Sequence, residues 1–280
     1  MNPESITHLK TAIFPCDMRQ YYISEYLTKM GMQNEIIDTY KTFDIYVTAT
    51  PFSKDNIHVN TILNRPLPIS EFIDNLSSDS IVFGGSIKRD IFSSLTTKTK
   101  HVYDYLSDKD IVRYNANLTA NGLLHDIIEH TPFSLLSSNV FIIGYGNCGR
   151  SIASLLSNLV KSIYIYDHTE SNIERVINDG YNEIYYNEIK NKLSKFNVII
   201  NTVPDVVLTD ELLSAADKSS FFFEIASYPF GFKKHIFDQL NLNLVYCLGL
   251  PGKYTPLDAG FKIAEYIYNQ MKGYDKIHDS

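Results

Sequence analysis

Three glycines, Gly144, Gly146 and Gly149, stand in the stretch NVFIIGYGNCGRSI from Asn139 to Ile152. At this spacing they do chemistry without side chains, because they let backbone N–H groups approach a bound anion closely. The apolar run before them reads as a strand and SIASLLSNL after them as a helix, which is the context the spacing needs. Gly144 then allows the tight turn, Gly146 the close approach of a pyrophosphate, and Gly149 the contact of helix with strand. Eighteen residues beyond Gly149, Asp167 ends the next strand, where a carboxylate can accept from a ribose 2′-hydroxyl. The stretch reads as a dinucleotide site, with Tyr145, Asn147 and Cys148 completing the loop and Cys148 filling space at the helix start. A carboxylate at Asp167 repels a 2′-phosphate and no Arg or Lys follows until Arg175, which favours NAD over NADP. His168 and Thr169 could still seat a phosphate.

Further chemistry is expected at the carboxyl ends of later strands, where open α/β sheets bind their ligands. Asn201, Thr202, Val203 and Pro204 end one such strand, and Ala226 and Ser227 its neighbour; both are assigned to the nicotinamide half. Hydride transfer asks the protein for orientation and for one group that takes a proton. His125, on a linking helix, is the candidate for the proton. An anionic substrate needs cations. Arg19 in DMRQ offers a planar fork, which Asp17 either orients for function or pairs with structurally. Lys253 in LPGKYTP precedes a helix N-terminus, and Lys88, Arg89 and Arg113 are further cations. Cys16, Cys148 and Cys247 are odd in number and far apart, so neither a metal site nor a disulfide framework is expected, and no Ser-His-Asp set stands out.

These residues must be held by two α/β series. In the first, TAIF, NEIID, FDIYVTA, SIVFGG and HVYDYL read as strands, with helices at Tyr21–Met30 and near Arg89–Leu95. Thr119–His130 reads as a helix with Leu123, Leu124, Ile127 and Ile128 on its apolar side. The second series has strands VFIIG, SIYIYD, NVIINT, FFFEIA and NLVYCLG, with helices at Gly149–Leu159, Glu170–Asp179 and Lys233–Leu240. A last helix opens at TPLDAG with Thr255 as N-cap and Pro256 in first position. Its stripe of Leu257, Phe261, Ala264, Ile267, Tyr268 and Met271 reads as packing. The expected fold class is α/β, with two Rossmann-like parallel-sheet domains. Residues 1–118 with 255–280 form a flavodoxin-like domain and 119–254 the dinucleotide-binding one.

Beyond the glycines, CDMRQ, NANLTANGLL, INTVPDVVLTDELL, FFEIASYPFG and LGLPGKYTPLDAG occur in order along the chain. Together they resemble the A subunit of dipicolinate synthase, whose pattern has D-x-R-Q after the first strand, N-T-[IV]-P, D-[LI]-A-S-x-P-G and G-L-P-G. The resemblance implies that the C-terminal helix returns to the first domain. It implies oxidation of a dihydrodipicolinate-derived ring to pyridine-2,6-dicarboxylate with NAD(P), in the mother cell of a sporulating bacterium, alongside a flavoprotein-like B subunit. Departures from it include Tyr228 in place of Arg, Phe230 of Gly, Asn121 of Glu and Leu257 of Lys. Two other functions remain open, an NAD-dependent dehydrogenase of another small hydroxy- or amino-carboxylate and a non-catalytic NAD-binding regulatory protein.

Bulk properties exclude other classes. A net charge of -7 argues against nucleic acid or an anionic membrane as the main partner. No apolar run reaches the roughly 20 residues of a membrane helix, and MNPESITHLK lacks the apolar core of an export leader, so a cytoplasmic protein is expected. Oligomeric state, including a homo-oligomer, is left open.

Overall fold

The computed structural model of the chain describes residues 8–278, with side chains as far as residue 272. Residues 1–7, on which the leader reading rests in part, and 279–280 lie outside the described residues. The chain divides into two compact units, Met1–Tyr114 with Thr255–Ser280, and Asn115–Tyr254.

The first unit runs β1 (Lys10–Ile13), α1 (Met18–Lys29), β2 (Gln33–Ile36), β3 (Ile45–Val47), α2 (Ile69–Asp74), β4 (Ile81–Gly84), α3 (Arg89–Thr96) and β5 (His101–Asp104). Its sheet is parallel throughout, in the order β2-β1-β3-β4-β5 of flavodoxin-like proteins. Alternation along the strands sends Ile13, Val47 and Phe83 to one face and Ala12, Phe14, Tyr46 and Val82 to the other. Each of the buried Ile, Val and Phe side chains contributes roughly 1.5–3 kcal/mol. α1 begins three residues earlier than the periodicity predicts, because Asp17 caps it: its carboxylate accepts from the Arg19 N–H, and Gln20 reaches back to the Asp17 N–H.

α4 (Lys109–His130) begins in the first unit and continues in the second. It starts ten residues before the expected Thr119, since Asp108 accepts from the N–H groups of Asp110 and Ile111. Its first turns mix polar residues with Ile111, Ala116 and Leu118, which are buried. Leu123 and Ile127 are buried as expected, but Ile128 is exposed, being turned about 100° from Ile127.

The second unit continues with β6 (Asn139–Ile143), α5 (Asn147–Leu156), β7 (Ser162–Tyr166), α6 (Glu170–Asn178), β8 (Asn182–Glu183) and α7 (Tyr186–Lys192). β9 (Val198–Asn201), α8 (Asp210–Leu213), β10 (Phe221–Glu224), α9 (Lys234–Leu240), β11 (Asn243–Tyr246) and α10 (Leu250–Tyr254) follow. The parallel sheet has the order β11-β10-β9-β6-β7-β8. Counted within this unit from β8, that is 3-2-1-4-5-6, the order of dinucleotide-binding sheets, with its switch point between β6 and β9. One face packs Val140, Ile142, Ile200 and Phe223 beneath α4 and α5. The other packs Phe141, Ile143, Ile199 and Phe222 with Leu212 and Phe237.

α11 (Pro256–His278) then returns to the first unit, where Ile263, Ala264, Ile267 and Met271 share a core with Ile23 and Leu27 of α1. Leu257, at its start, stays exposed. No helix among the described residues is long and apolar enough to cross a membrane.

Candidate cofactor and active site

The turn after β6 lies beside the switch point. Gly144 has φ +94°, and a Cβ there would meet Thr202 Oγ1 at 2.4 Å and Val203 Cγ1 at 2.7 Å. Gly149, one turn into α5, would place a Cβ 2.1 Å from the Gly144 carbonyl oxygen. Both positions are therefore glycine for reasons internal to the protein. Gly146 differs: its φ is -74° and a Cβ there would meet no protein atom within 4 Å. It is the N-cap of α5 and no side chain caps that helix, so the first N–H groups are free of an internal acceptor from a capping side chain. A concave backbone at a helix N-terminus fits a pyrophosphate. Thr202 donates to the Ile143 carbonyl at 2.8 Å and ties the β9 loop to this turn. Asn147 is exposed at the start of α5, while Cys148 packs against the core, and burial pushes its thiol up. Tyr145 presents only its backbone to the loop; its ring is buried and its hydroxyl donates to Asp179 at 2.7 Å.

Asp167 follows β7 and is buried. Its Oδ2 accepts from the Tyr145 N–H at 2.7 Å and from Asn172 Nδ2 at 3.1 Å, and its Oδ1 from the Thr169 N–H at 2.9 Å. Burial raises its pKa, but these donors outweigh burial and hold it below the ordinary carboxylate range. Asp167 thus anchors the glycine turn. His168, beside it, is exposed.

At the ends of β9 and β10, Asn201 and Glu224 are paired across the sheet. Both are buried, and Asn201 Nδ2 lies 2.9 Å from each Glu224 carboxylate oxygen. Val203 and Pro204 continue from Asn201, and Ala226 and Ser227 from Glu224, so the residues assigned to the nicotinamide half do sit on neighbouring loops. Ser227 and Pro204 are exposed. Phe230, in place of the Gly of the resemblance, has φ +59°, a left-handed conformation that glycine adopts without strain. Its ring packs on Tyr246 at 5.1 Å and on exposed Tyr228 at 5.8 Å.

His125 and Lys253 meet at Asp126, a residue that carries no functional motif of its own. Asp126, on α4, is 2% exposed and accepts from the Tyr254 hydroxyl. Lys253 Nζ lies 3.5 Å and His125 Nδ1 3.6 Å from the same oxygen. The His125 ring lies 4.4 Å from that of Tyr254, and the Lys253 ammonium lies over the latter, also at 4.4 Å. Burial raises the Asp126 pKa, but the bonds from Tyr254 and Cys247 and the charge of Lys253 hold it low. Glu129 brings a third ligand atom within 4.8 Å of those of His125 and Asp126, although the ammonium on Asp126 already supplies the positive charge there.

Arg19 belongs to the first unit. Its Nε and Nη2 bond Asp17 at 3.0 and 2.7 Å, and Nη2 reaches the Thr50 carbonyl at 3.4 Å. Its guanidinium is nearly buried, and the pair uses one edge of the fork. Cys16, Cys148 and Cys247 are free thiols.

Two residues carry no role in the sequence reading. Glu224, the acid within the apolar run FFFEIA, stands at the acidic position of the D-[LI]-A-S-x-P-G pattern, and Asp126 falls three residues after buried Leu123 on the same helix face.

The glycine turn at the switch point of a 3-2-1-4-5-6 sheet, in a chain with a second parallel α/β unit, defines a Rossmann-like protein with the fold of nicotinamide-dependent dehydrogenases. No family model matches the chain. The resemblance read from the motifs extends over nearly the whole sequence. The chain is 22% identical to the A subunit of dipicolinate synthase from Bacillus subtilis (strain 168), across 94% of this chain and 95% of that protein. The crystal structure of the Bacillus halodurans dipicolinate synthase A subunit superposes with a TM-score of 0.82 at 22% identity, covering 95% of this chain and 98% of that one. A D-isomer specific 2-hydroxyacid dehydrogenase from Lactobacillus delbrueckii ssp. bulgaricus, in an NAD-complexed form, gives a TM-score of 0.56 at 10% identity over 95% and 98%.

Proposed function

We propose that the chain is an NAD(P)-dependent oxidoreductase of the dipicolinate synthase A type. It oxidises a dihydrodipicolinate-derived ring to pyridine-2,6-dicarboxylate, in the cytoplasm of a sporulating mother cell and beside a flavoprotein-like B subunit. The observation that carries the cofactor reading is Gly146, where a Cβ would meet no protein atom within 4 Å although both neighbouring glycines are fixed by contacts. Similarity over 94% of the chain supports the choice of substrate.

In this reading residues 144–149 cradle the pyrophosphate and Asp167 accepts from the adenosine ribose. Asn201–Pro204 and Ala226–Ser227 flank the nicotinamide, which when bound supplies a hydride acceptor. The substrate ring gives up a hydride and a proton. His125, beside Asp126, takes the proton, and Lys253 offers its ammonium to a carboxylate; Arg19, in the first unit, is proposed separately as a carboxylate-binding cation.

The apolar Tyr228 and Leu257, exposed where the resemblance has cations, favour a second reading, a dehydrogenase of a different small carboxylate. Incubation with dihydrodipicolinate, NAD(P) and the partner distinguishes the two by the ultraviolet spectrum of a pyridine dicarboxylate.

The cofactor preference is also testable. Asp167→Ser is expected to weaken NAD binding about tenfold or more, because the Tyr145 N–H loses its acceptor, and to narrow the gap between NAD and NADP. Calorimetric titration that finds both affinities unchanged would remove both roles from Asp167.

A further inference from the structure

Glu224 is a carboxylate that the proposed chemistry leaves without a task. It ends β10 with no exposed surface, and no Lys or Arg of the described residues forms an ion pair with it. The groups bonded to it are N–H donors. Asn201 Nδ2 reaches both oxygens at 2.9 Å, the Ala226 N–H reaches Oε1 at 2.9 Å, and the Phe232 N–H reaches Oε2 at 2.7 Å. The amide of Asn201 is itself oriented, since Nδ2 also donates to the Val203 carbonyl at 2.7 Å. A protonated Glu224 would therefore turn an O–H toward donors. Burial outweighs the N–H groups and raises its pKa above the ordinary carboxylate value, while donors on both oxygens are the arrangement that receives a carboxylate.

Its place in the sheet gives this charge a use. The glycine turn and Asp167 serve the half made of β6, β7 and β8, whereas Asn201 and Glu224 end β9 and β10 in the other half. A dinucleotide lying across the switch point has its second nucleotide over that other half. In NAD(P) this nucleotide bears the nicotinamide, a cationic ring when oxidised and a neutral one when reduced. A fixed negative charge under low dielectric interacts with the first and not with the second.

We infer that Glu224 is a specificity-determining residue for the oxidation state of the cofactor, a buried anion that favours the oxidised form over the reduced one. This rests on the NAD(P) reading of the site. It suits a protein working in the direction of substrate oxidation, which must admit the oxidised cofactor and release the reduced one.

Calorimetric titration of the full chain with NAD+ and with NADH tests it. Wild type is expected to bind both. Glu224→Gln should shift the ratio of the two affinities toward NADH by about tenfold, while Glu224→Asp, which keeps the charge, should stay within about threefold of wild type. Glu224→Met removes the charge without placing a new donor among donors and should reproduce the shift if Glu224→Gln does not fold. A ratio unchanged in a folded charge-free variant, or moved equally by Glu224→Asp, overturns the inference and leaves the cofactor reading standing. Failure of wild type to bind either form overturns both.

Discussion

Gly146→Val is expected to abolish NAD(P) binding, weakening it by about a hundredfold or more, while leaving the fold almost intact. The two halves of this result have separate causes. The valine side chain would enter the space against the N-terminus of α5, where no protein atom lies within 4 Å of a Cβ and where a pyrophosphate would need to come close. The backbone itself tolerates the change, because φ at this position is -74°. Loss of glycine as N-cap costs no more than about 1 kcal/mol. Gly149→Ala supplies the contrast. Its Cβ would stand 2.1 Å from the Gly144 carbonyl oxygen, so helix and turn must separate, and a large loss of stability is expected in the absence of any cofactor. Thermal melts with and without NAD separate the two variants. A Gly146→Val protein that still binds NAD would remove the pyrophosphate cradle from this turn, and one that melts like Gly149→Ala would assign Gly146 to the fold.

Asp126→Asn is expected to destabilise the protein by about 2–4 kcal/mol at neutral pH, because the buried carboxylate is the common partner of Tyr254, Lys253 and His125. The pH dependence follows from the direction of its shift. The folded pKa lies below the ordinary value of 3.8, so its stabilisation is fully present above the unfolded value and is lost as pH falls through the folded one. Urea melts of wild type and variant should therefore differ at pH 7 and pH 5, begin to approach each other below the unfolded carboxylate value of about 3.9, and meet only once pH is below the folded value. A gap of constant size down to pH 2 would show that the lost interaction is one of shape and not of charge.

The fold is legible in the sequence where local chemistry and long-range packing agree. The apolar strands, the glycine turn and the Thr255–Pro256 helix start each carry their own signal, and strand order then follows from crossovers of one hand. The early start of α4 is set by Asp108, whose carboxylate accepts from two backbone N–H groups, a cap that shows only in the folded chain. The short helices α2, α7, α8 and α10 escape for a related reason, since a helix of so few turns is held by tertiary packing more than by propensity. In the site, residues 144–149 are legible because backbone geometry restricts the residue type. Asp167 is legible as a carboxylate at a strand end, but its bond to the Tyr145 N–H needs the folded turn. His125 and Lys253 carry separate signals far apart in the chain. Only the packing of α10 on α4, which brings Tyr254 to Asp126 across 128 residues of sequence, joins them. Glu224 stands where the motif has an acid, but its partner Asn201 shows only in the folded sheet.

The most direct measurement is a stoichiometric one. Purified chain is mixed with dihydrodipicolinate, the proposed flavoprotein-like partner and limiting NAD or NADP, and nicotinamide reduction is followed together with the ultraviolet spectrum of pyridine-2,6-dicarboxylate. One reduced cofactor per dicarboxylate formed, abolished by Gly146→Val, is the predicted result. Dicarboxylate formed without cofactor reduction, or cofactor bound by a chain that reduces none with this substrate, would contradict it.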